Sequence, residues 1–353
     1  MKIGIIGIGN VGLQVLKDLN SNKKIKDVLS VEKILVRDKE KYLKVLDLEF
    51  GKNNNISKKL TDDFSDFINS DINIVVELIG GINPANEYVE KSILSGKNVV
   101  TANKEIISNN IDHLTKLANS NNVKLRFEAA VGAGIPLIEV LIDMLEQNNI
   151  SKITGIINGT SNYILSSMHN SDKSFEESLK EAQNLGFAES DPTNDVGGFD
   201  AKFKINILGS IAFGERIPLE SVSVSGIKNL SQKDISYAQE FGYVIKLLAV
   251  TELKSSKVYS NVSPYLVSNT HPLSKVEENY NAVEINGDLV GKLWFQGEGA
   301  GKLSTTSAVI GDLLGIVKNT SGNLFFKDSS YDYFLDDEVS GKKYIRLSVE
   351  DKF

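Results

Sequence analysis

Residues able to do chemistry crowd into Gly186-Phe187-Ala188-Glu189-Ser190-Asp191-Pro192 and the following Asp195-Val196-Gly197-Gly198-Phe199-Asp200-Ala201-Lys202-Phe203-Lys204, where carboxylates and glycines are dense. A helix is expected to start near residue 199. It would place Asp200 and Lys204 at i and i+4 on one face, within salt-bridge reach. From spacing alone the pair reads first as a stabilising helix contact, and alternatively as an acid/base group that trades a proton with a substrate. The three histidines, His113, His169 and His271, lie in helix or loop patterns without a flanking glycine turn or carboxylates, and read as surface or packing residues. The chain has no cysteine, which excludes disulfides, thiolate zinc sites and any mechanism that needs a cysteine nucleophile.

A second constellation lies at the start. Gly7-Ile8-Gly9-Asn10-Val11-Gly12 fits G-x-G-x-x-G between a strand pattern and a helix pattern. There the missing side chains let backbone approach a pyrophosphate at a helix N-terminus. The end of the next strand, Leu35-Val36-Arg37-Asp38, is where the adenosine ribose is expected. An acidic residue there favours the 2′-hydroxyl of NAD and an arginine the 2′-phosphate of NADP. Both are present, and Arg37 comes first, so the reading leans to NADP with NAD as the alternative. A nicotinamide enzyme moves a hydride and leaves the protein one proton to manage at the substrate hydroxyl.

The elements that would carry these residues alternate. Strands are expected at 2–8, 31–36, 72–78, 98–101 and 123–127, with helices at 13–20, 84–95 (Pro84 in its first turn) and 105–120. Such alternation gives an α/β fold, a Rossmann-type doubly wound parallel sheet. From residue 135 the texture changes. Helices are expected at about 136–147, 161–169, 174–185 and 199–213, β-rich pieces at 153–157 and 217–296, and a last helix at about 304–316. This describes an α+β substrate and dimerisation domain. The division is 1–130 for dinucleotide binding, completed by the helix at about 304–318, then 131–303, then a tail over 319–353.

Bulk composition agrees with two domains, since 353 residues exceed one ordinary compact unit. Hydrophobic residues at 41% and charged ones at 24% match a globular chain with a sizeable core. The net charge of -7 lacks the basic footprint of a nucleic-acid or anionic-membrane binder, so a small-molecule partner is expected. With no apolar run of about 18 residues and no signal-peptide layout, the expected location is cytoplasmic.

Several segments together resemble the homoserine dehydrogenase family, in order along about residues 1–318. They are Gly7 to Gly12, Thr101-Ala102-Asn103-Lys104, Glu128-Ala129-Ala130-Val131-Gly132-Ala133-Gly134-Ile135-Pro136, Asn158-Gly159-Thr160-Ser161-Asn162-Tyr163-Ile164, the stretch 186–204, and Gly297-Glu298-Gly299-Ala300-Gly301. The resemblance implies that Lys204 shuttles the proton and that Lys104 is a second active-site lysine at the nicotinamide end of the cleft. Lys104 could also be the cation that lowers the Lys204 pKa toward working pH. It further implies that Glu189 and Asp200 hold the amino-acid substrate. Gly7, Gly9, Asn10, Val11, Gly12, Arg37, Thr101, Lys104, Gly186 and Gly301 are implied to contact the cofactor. Glu128, Val131, Ala133 and Ile135 match a monovalent cation site in which one carboxylate and backbone carbonyls surround sodium; on sequence alone they read as a glycine-rich turn.

The implied reaction is the reversible interconversion of L-homoserine and L-aspartate 4-semialdehyde, in a homodimer paired through the sheet of the substrate domain. A phosphorylating semialdehyde dehydrogenase needs the cysteine this chain lacks. A non-catalytic NAD(P)-sensing protein would have no use for Lys104, Glu189, Asp200 and Lys204 together. Residues 343–353 resemble the first strand of an amino-acid-binding regulatory domain of the ACT type. A lone strand cannot fold as that domain, so the tail is expected either to pair with the body or to be disordered.

Overall fold

In the computed structural model of the chain, the β-branched runs of the first third build a six-stranded sheet. The structure describes residues 1–52, 54–145, 147–320, 324–328, 330–334 and 344–346. The strands are β1 (Lys2–Ile6), β2 (Ser30–Leu35), β3 (Leu60–Thr61), β4 (Ile74–Glu77), β5 (Asn98–Thr101) and β6 (Leu125–Arg126). They pair in parallel in the order β3-β2-β1-β4-β5-β6. Parallel strands require crossover helices that cover both faces, so both faces must be apolar. Ile3, Ile5, Ile6, Ile74, Val75 and Val76 are accordingly all buried. The sheet turns back on itself between β1 and β4, and a crevice opens at such a switch point.

The glycine turn sits at that crevice. Gly7 has φ +88°, in the left-handed region that favours glycine. Gly12 lies in the first turn of the helix Asn10–Ser21, and a Cβ there would stand 2.2 Å from the Gly7 carbonyl oxygen. Gly9 caps the helix, and a Cβ there would meet nothing within 4 Å. The outer two glycines therefore serve the turn and the helix packing, while the middle one faces open space.

The second sheet contains β7 (Ile150–Ile156), β8 (Ser223–Val224), β9 (Tyr243–Lys254), β10 (Lys257–Ser268), β11 (Tyr280–Gly287), β12 (Gly291–Glu298) and β13 (Asp332–Phe334). Its order is β12-β11-β7-β9-β10-β13, with β8 also on β10. The long strands run antiparallel, and β8 and β13 run parallel to β10. The helix Phe199–Phe213 is buried almost all round, as expected of a helix enclosed on every side. It packs on this sheet and also on the helix Lys104–Ser120 of the first unit. One apolar cluster consequently runs from Ile6 and Val75 through Ile107 and Ile205 to Val262. The last helix, Lys302–Lys318, returns to the first unit, where Val309, Leu313 and Ile316 join Val15, Leu16 and Leu19.

Most expected elements are present with ends moved by a few residues. The strand expected at 123–127 contracts to Leu125–Arg126, and Pro84 stands just ahead of the helix Ala85–Leu94 as its cap. The helices Lys39–Phe50 and Phe64–Ile68 and the two-residue β3 between them were not individually expected. Parts of the tail lie against the body. Arg126 donates to the Thr320 carbonyl at 2.6 Å, Ser330 N–H donates to Glu215 Oε2 at 2.9 Å, and β13 adds to the sheet edge. Tyr344 donates to Asp234 Oδ1 at 2.8 Å. Of the strand expected over 343–353, residue 343 and residues 347–353 lie outside the described residues.

Gly12→Ala is expected to push the first helix off β1, because its methyl carbon collides with backbone rather than a mobile side chain. Overpacking of this kind costs about 1–3 kcal/mol. Thermal melts and NADPH titration should show a lower Tm and weakened cofactor affinity, whereas Gly9→Ala should leave the Tm unchanged.

Candidate active site

Asp200 and Lys204 occupy the opening turns of the helix Phe199–Phe213. Its cap, Gly198, has φ +83°, and an acid in the first turn lies where the helix dipole favours an anion. Lys204 Nζ is 2.9 Å from Asp200 Oδ2 and donates to the Ile157 carbonyl at 2.9 Å. Lys104 Nζ is 3.1 Å from Asp200 Oδ1. Lys104 begins the helix Lys104–Ser120, which Asn103 caps by accepting from Ile106 N–H. One carboxylate is thus shared by two ammoniums that arrive from different sheets.

Asn158 completes the arrangement. Its Nδ2 donates to Asp200 Oδ2 at 2.9 Å and to Asp195 Oδ1 at 2.7 Å, while its Oδ1 caps the helix Gly159–Ser171. Burial pushes the Asp200 carboxyl up. The Lys204 and Lys104 ammoniums, with the Asn158 hydrogen bond, outweigh burial and hold the group well below the usual carboxylate range. Burial pulls the Lys104 ammonium down, but Asp200 reverses the balance and leaves it above the ordinary lysine value. Asp195 is raised by burial against its Asn158 hydrogen bond. Lys104, named as a cation that could act on Lys204, shares with it the Asp200 anion, which offsets their repulsion.

The carboxyl edge of the first sheet brings the cluster to the cofactor crevice. Asn103 Nδ2 donates to the Gly81 carbonyl at 2.6 Å, next to the loop that lines a cleft of about 670 Å³. Gly7, Gly9, Arg37, Lys41, Ile79 and Gly80 line that cleft. Asp38 also lines it, but its Oδ1 accepts from Lys41 N–H at 2.9 Å and caps the helix Lys39–Phe50. Arg37 is exposed at the rim. Asn10 and Val11 open the first helix. Thr101, at the end of β5, has a buried hydroxyl that donates to Glu77 Oε2 at 2.6 Å. Its side chain therefore braces the crevice from within. Glu77 also accepts from Ile79 N–H and Gly80 N–H, which shapes the loop after β4.

Four other expected positions are placed as follows. Glu189 is exposed, and among the described residues its carboxylate makes no hydrogen bond or ion pair with the Asp200 cluster. Gly186, with φ +78°, and Gly301, the cap of the last helix, are exposed turn residues. The Glu128 carboxylate accepts from Leu137 N–H at 2.6 Å, Ile138 N–H at 3.0 Å and Glu139 N–H at 2.8 Å. Both of its oxygens thus serve the N-terminus of the helix Ile138–Leu145. The carbonyls of Val131, Ala133 and Ile135 accept no hydrogen bond among the described residues. Those carbonyls are oxygen donors of the kind a hard monovalent cation takes, and the Glu128 carboxylate, with three backbone N–H donors, keeps part of its acceptor capacity.

Sequence reasoning assigned no role to Asn158 or Asp195. The spacing that would have flagged Asn158 is its place just ahead of a helix, where asparagine is a favoured cap. Its second duty, holding two carboxylates, depends on the fold.

A glycine turn at the switch point of a parallel sheet, with a lysine–aspartate–lysine cluster at the same edge, defines an NAD(P)-dependent oxidoreductase. Residues 7–128 match the family model described as homoserine dehydrogenase, NAD binding domain, and residues 136–314 the one described as homoserine dehydrogenase. The homoserine dehydrogenase of Bacillus subtilis strain 168 is 35% identical over all of this chain and 82% of its own length. The crystal structure of a homoserine dehydrogenase from Thiobacillus denitrificans has a TM-score of 0.85 at 37% identity, covering 96% of this chain and 78% of that one. A hyperthermophilic archaeal homoserine dehydrogenase in complex with NADPH has a TM-score of 0.77 at 28% identity, covering 92% and 99%. The chain belongs to the homoserine dehydrogenase family. Among the described residues no helix is long and apolar enough to cross a membrane.

The folded Asp200 pKa lies below the unfolded one, so its stabilising contribution is complete above about pH 4 and is lost as pH falls toward the folded value. Calorimetric melts of wild type and Asp200→Asn should therefore differ by a constant Tm gap from pH 7 to about pH 5. The gap should narrow below about pH 4; one that stays constant to pH 3 contradicts the assignment.

Proposed function

We propose that Asp200, Lys204 and Lys104 form the reaction centre in which L-homoserine and L-aspartate 4-semialdehyde interconvert. The observation that carries the reading is the shared carboxylate, 2.9 Å from one ammonium and 3.1 Å from the other. A protonated lysine has three N–H donors. Asp200 and the Ile157 carbonyl take two from Lys204 and leave the third for a substrate oxygen. Lys204 gives that proton to the aldehyde oxygen in the biosynthetic direction, and as the neutral amine it takes the hydroxyl proton in the other. The nicotinamide supplies or removes the hydride. Lys104 adds positive charge beside the same oxygen, where charge develops. Asp195 offers a second carboxylate beside Asp200, and Glu189 on its exposed loop a third, for the substrate ammonium.

The same reading gives the cofactor as NADP. Arg37 and Lys41 supply cations at the rim, and capping engages the Asp38 carboxylate that would otherwise meet a 2′-hydroxyl. The remaining contacts, through Gly7, Gly9, Asn10, Val11, Gly12, Thr101, Lys104, Gly186 and Gly301, belong to this reading. So does a sodium ion beside the Val131, Ala133 and Ile135 carbonyls, acting as a brace. The sheet face opposite the buried helix carries a depression of about 640 Å³ lined by Thr154, Leu248, Val250, Tyr259 and Tyr265 among others, which supports pairing of two copies there.

One assay tests these roles. Purified protein is given L-homoserine with NADP or NAD, in sodium or choline buffer, and the reduced nicotinamide is followed. Wild type should turn over with a preference for NADP that Arg37→Ala reduces about 10-fold or more. Lys204→Ala should lose turnover by about 10²–10⁴-fold yet still bind NADPH. Sedimentation of the same sample should give a dimer, and choline should lower the Tm. No turnover by wild type with either cofactor would overturn the reading; a monomer or an unchanged Tm would remove the dimer or the cation.

A further inference from the structure

We infer that the buried hydrogen bond between Ser108 and Asn206 is a positioning contact that holds Lys104 against Asp200. It rests on the reading that Lys104 serves the reaction, and it extends the working site into the core between the two lysine-bearing helices.

The two lysines arrive on separate supports. Lys104 opens the helix that follows β5 of the first sheet, whereas Asp200 and Lys204 ride on the helix packed against the second. Apolar packing alone tolerates small slips of one helix along another, because dispersion contacts are individually weak and non-directional. Among the described residues, polar side-chain links between these helices are two: Lys104 to Asp200 at the mouth, and Ser108 to Asn206 below it. Ser108 lies one turn after Lys104, so both stand on the same helix face. Two links at different heights fix the rotation and the translation of one helix on the other.

The inner link is built to be rigid. Ser108 is 1% exposed and Asn206 0%, and the serine hydroxyl donates to Asn206 Oδ1 at 3.0 Å. Asn206 Nδ2 donates to the Ile217 carbonyl at 2.9 Å, and Ile217 N–H in turn donates to Ser210 Oγ at 3.0 Å. A carbonyl can only accept, so the amide of Asn206 has one orientation and Ser108 has one target. A mid-helix serine otherwise tends to bond the carbonyl four residues back, here that of Lys104 itself. A buried polar network in which every member is satisfied specifies a single arrangement. The outer link depends on that arrangement, because Lys104 is a long, partly exposed side chain whose reach is set by where its helix begins.

A displacement of about 1 Å in a catalytic group costs on the order of 10²-fold in rate. The test is a double-mutant cycle on the full chain with Ser108→Ala, Lys104→Ala and the double variant. It reads kcat, KM for L-homoserine and, by calorimetry with NADPH bound, the homoserine Kd, so the cycle stays readable when turnover is small. Ser108→Ala should lower kcat/KM about 10-fold or more in the Lys104 background. In the Lys104→Ala background the same substitution should change kcat/KM and Kd by less than about 2-fold, since it acts through the lysine. Asn206→Ala should reproduce the pattern. Equal losses in both backgrounds, or wild-type activity in Ser108→Ala, would overturn the inference. An active Lys104→Ala would instead defeat the reading of Lys104, and the inference with it.

Discussion

A carboxylate removed from water is unfavourable unless oppositely charged and hydrogen-bonding groups replace what the water supplied. Asp200 meets that condition with two ammoniums and one side-chain amide, and each partner comes from a different element. The second turn of its own helix provides Lys204, the helix after β5 provides Lys104, and the turn after β7 provides Asn158. Removing any one partner leaves charge partly uncompensated in a buried place. The carboxylate therefore needs both sheets in register, and the apolar cluster running continuously between them maintains that register.

In the proposed reaction the same arrangement prepares the lysines for chemistry. Asp200 holds Lys104 above the ordinary lysine value, which would keep Lys104 a cation while Lys204 exchanges the proton. Pre-placed charge of this kind needs little reorganisation when the substrate oxygen gains charge. Around it, buried carboxylates are committed to structure. Glu77 shapes the crevice loop, and Glu128 caps the helix Ile138–Leu145 while its own N–H donates to Asp312 of the last helix at 2.9 Å. Burial first, and then Glu128, push Asp312 well above the usual carboxylate range. The joint between the two units is thus held by acids that serve as backbone acceptors.

What the sequence made legible was local. The helix expected at about 199–213 has both ends in place, and Gly198 and Gly214, both at positive φ, bound it. The Asp200–Lys204 pair followed from the i, i+4 rule, and the glycine turn followed from its place between strand and helix. Long-range partners were not legible in the same way. Lys104 entered through family resemblance, and nothing in its neighbourhood says that it meets Asp200. Asn158 and the Ser108–Asn206 bond join residues far apart in the chain, so no periodicity marks them. Asp38 was read only as a possible ribose partner, and its capping of the helix Lys39–Phe50 through Lys41 N–H appears only in the fold. The carboxylate of Glu128 was read as a cation ligand because the segment resembles one; its engagement by three backbone amides appears only when the chain folds back. The region 38–68 was blurred because β3 has two residues and no alternation to detect.

The central claim is that Asp200 organises both lysines for the reaction rather than merely stabilising a helix. Its most direct test is the kcat/KM of Asp200→Asn for L-homoserine, measured with NADPH affinity on the same preparation. Loss of one preorganised charged group from a reaction centre lowers turnover by about 10²–10³-fold, and the account predicts a fall of that order with cofactor binding intact. Turnover within about threefold of wild type, alongside a lowered Tm, would reduce the pair to a structural salt bridge and contradict the account.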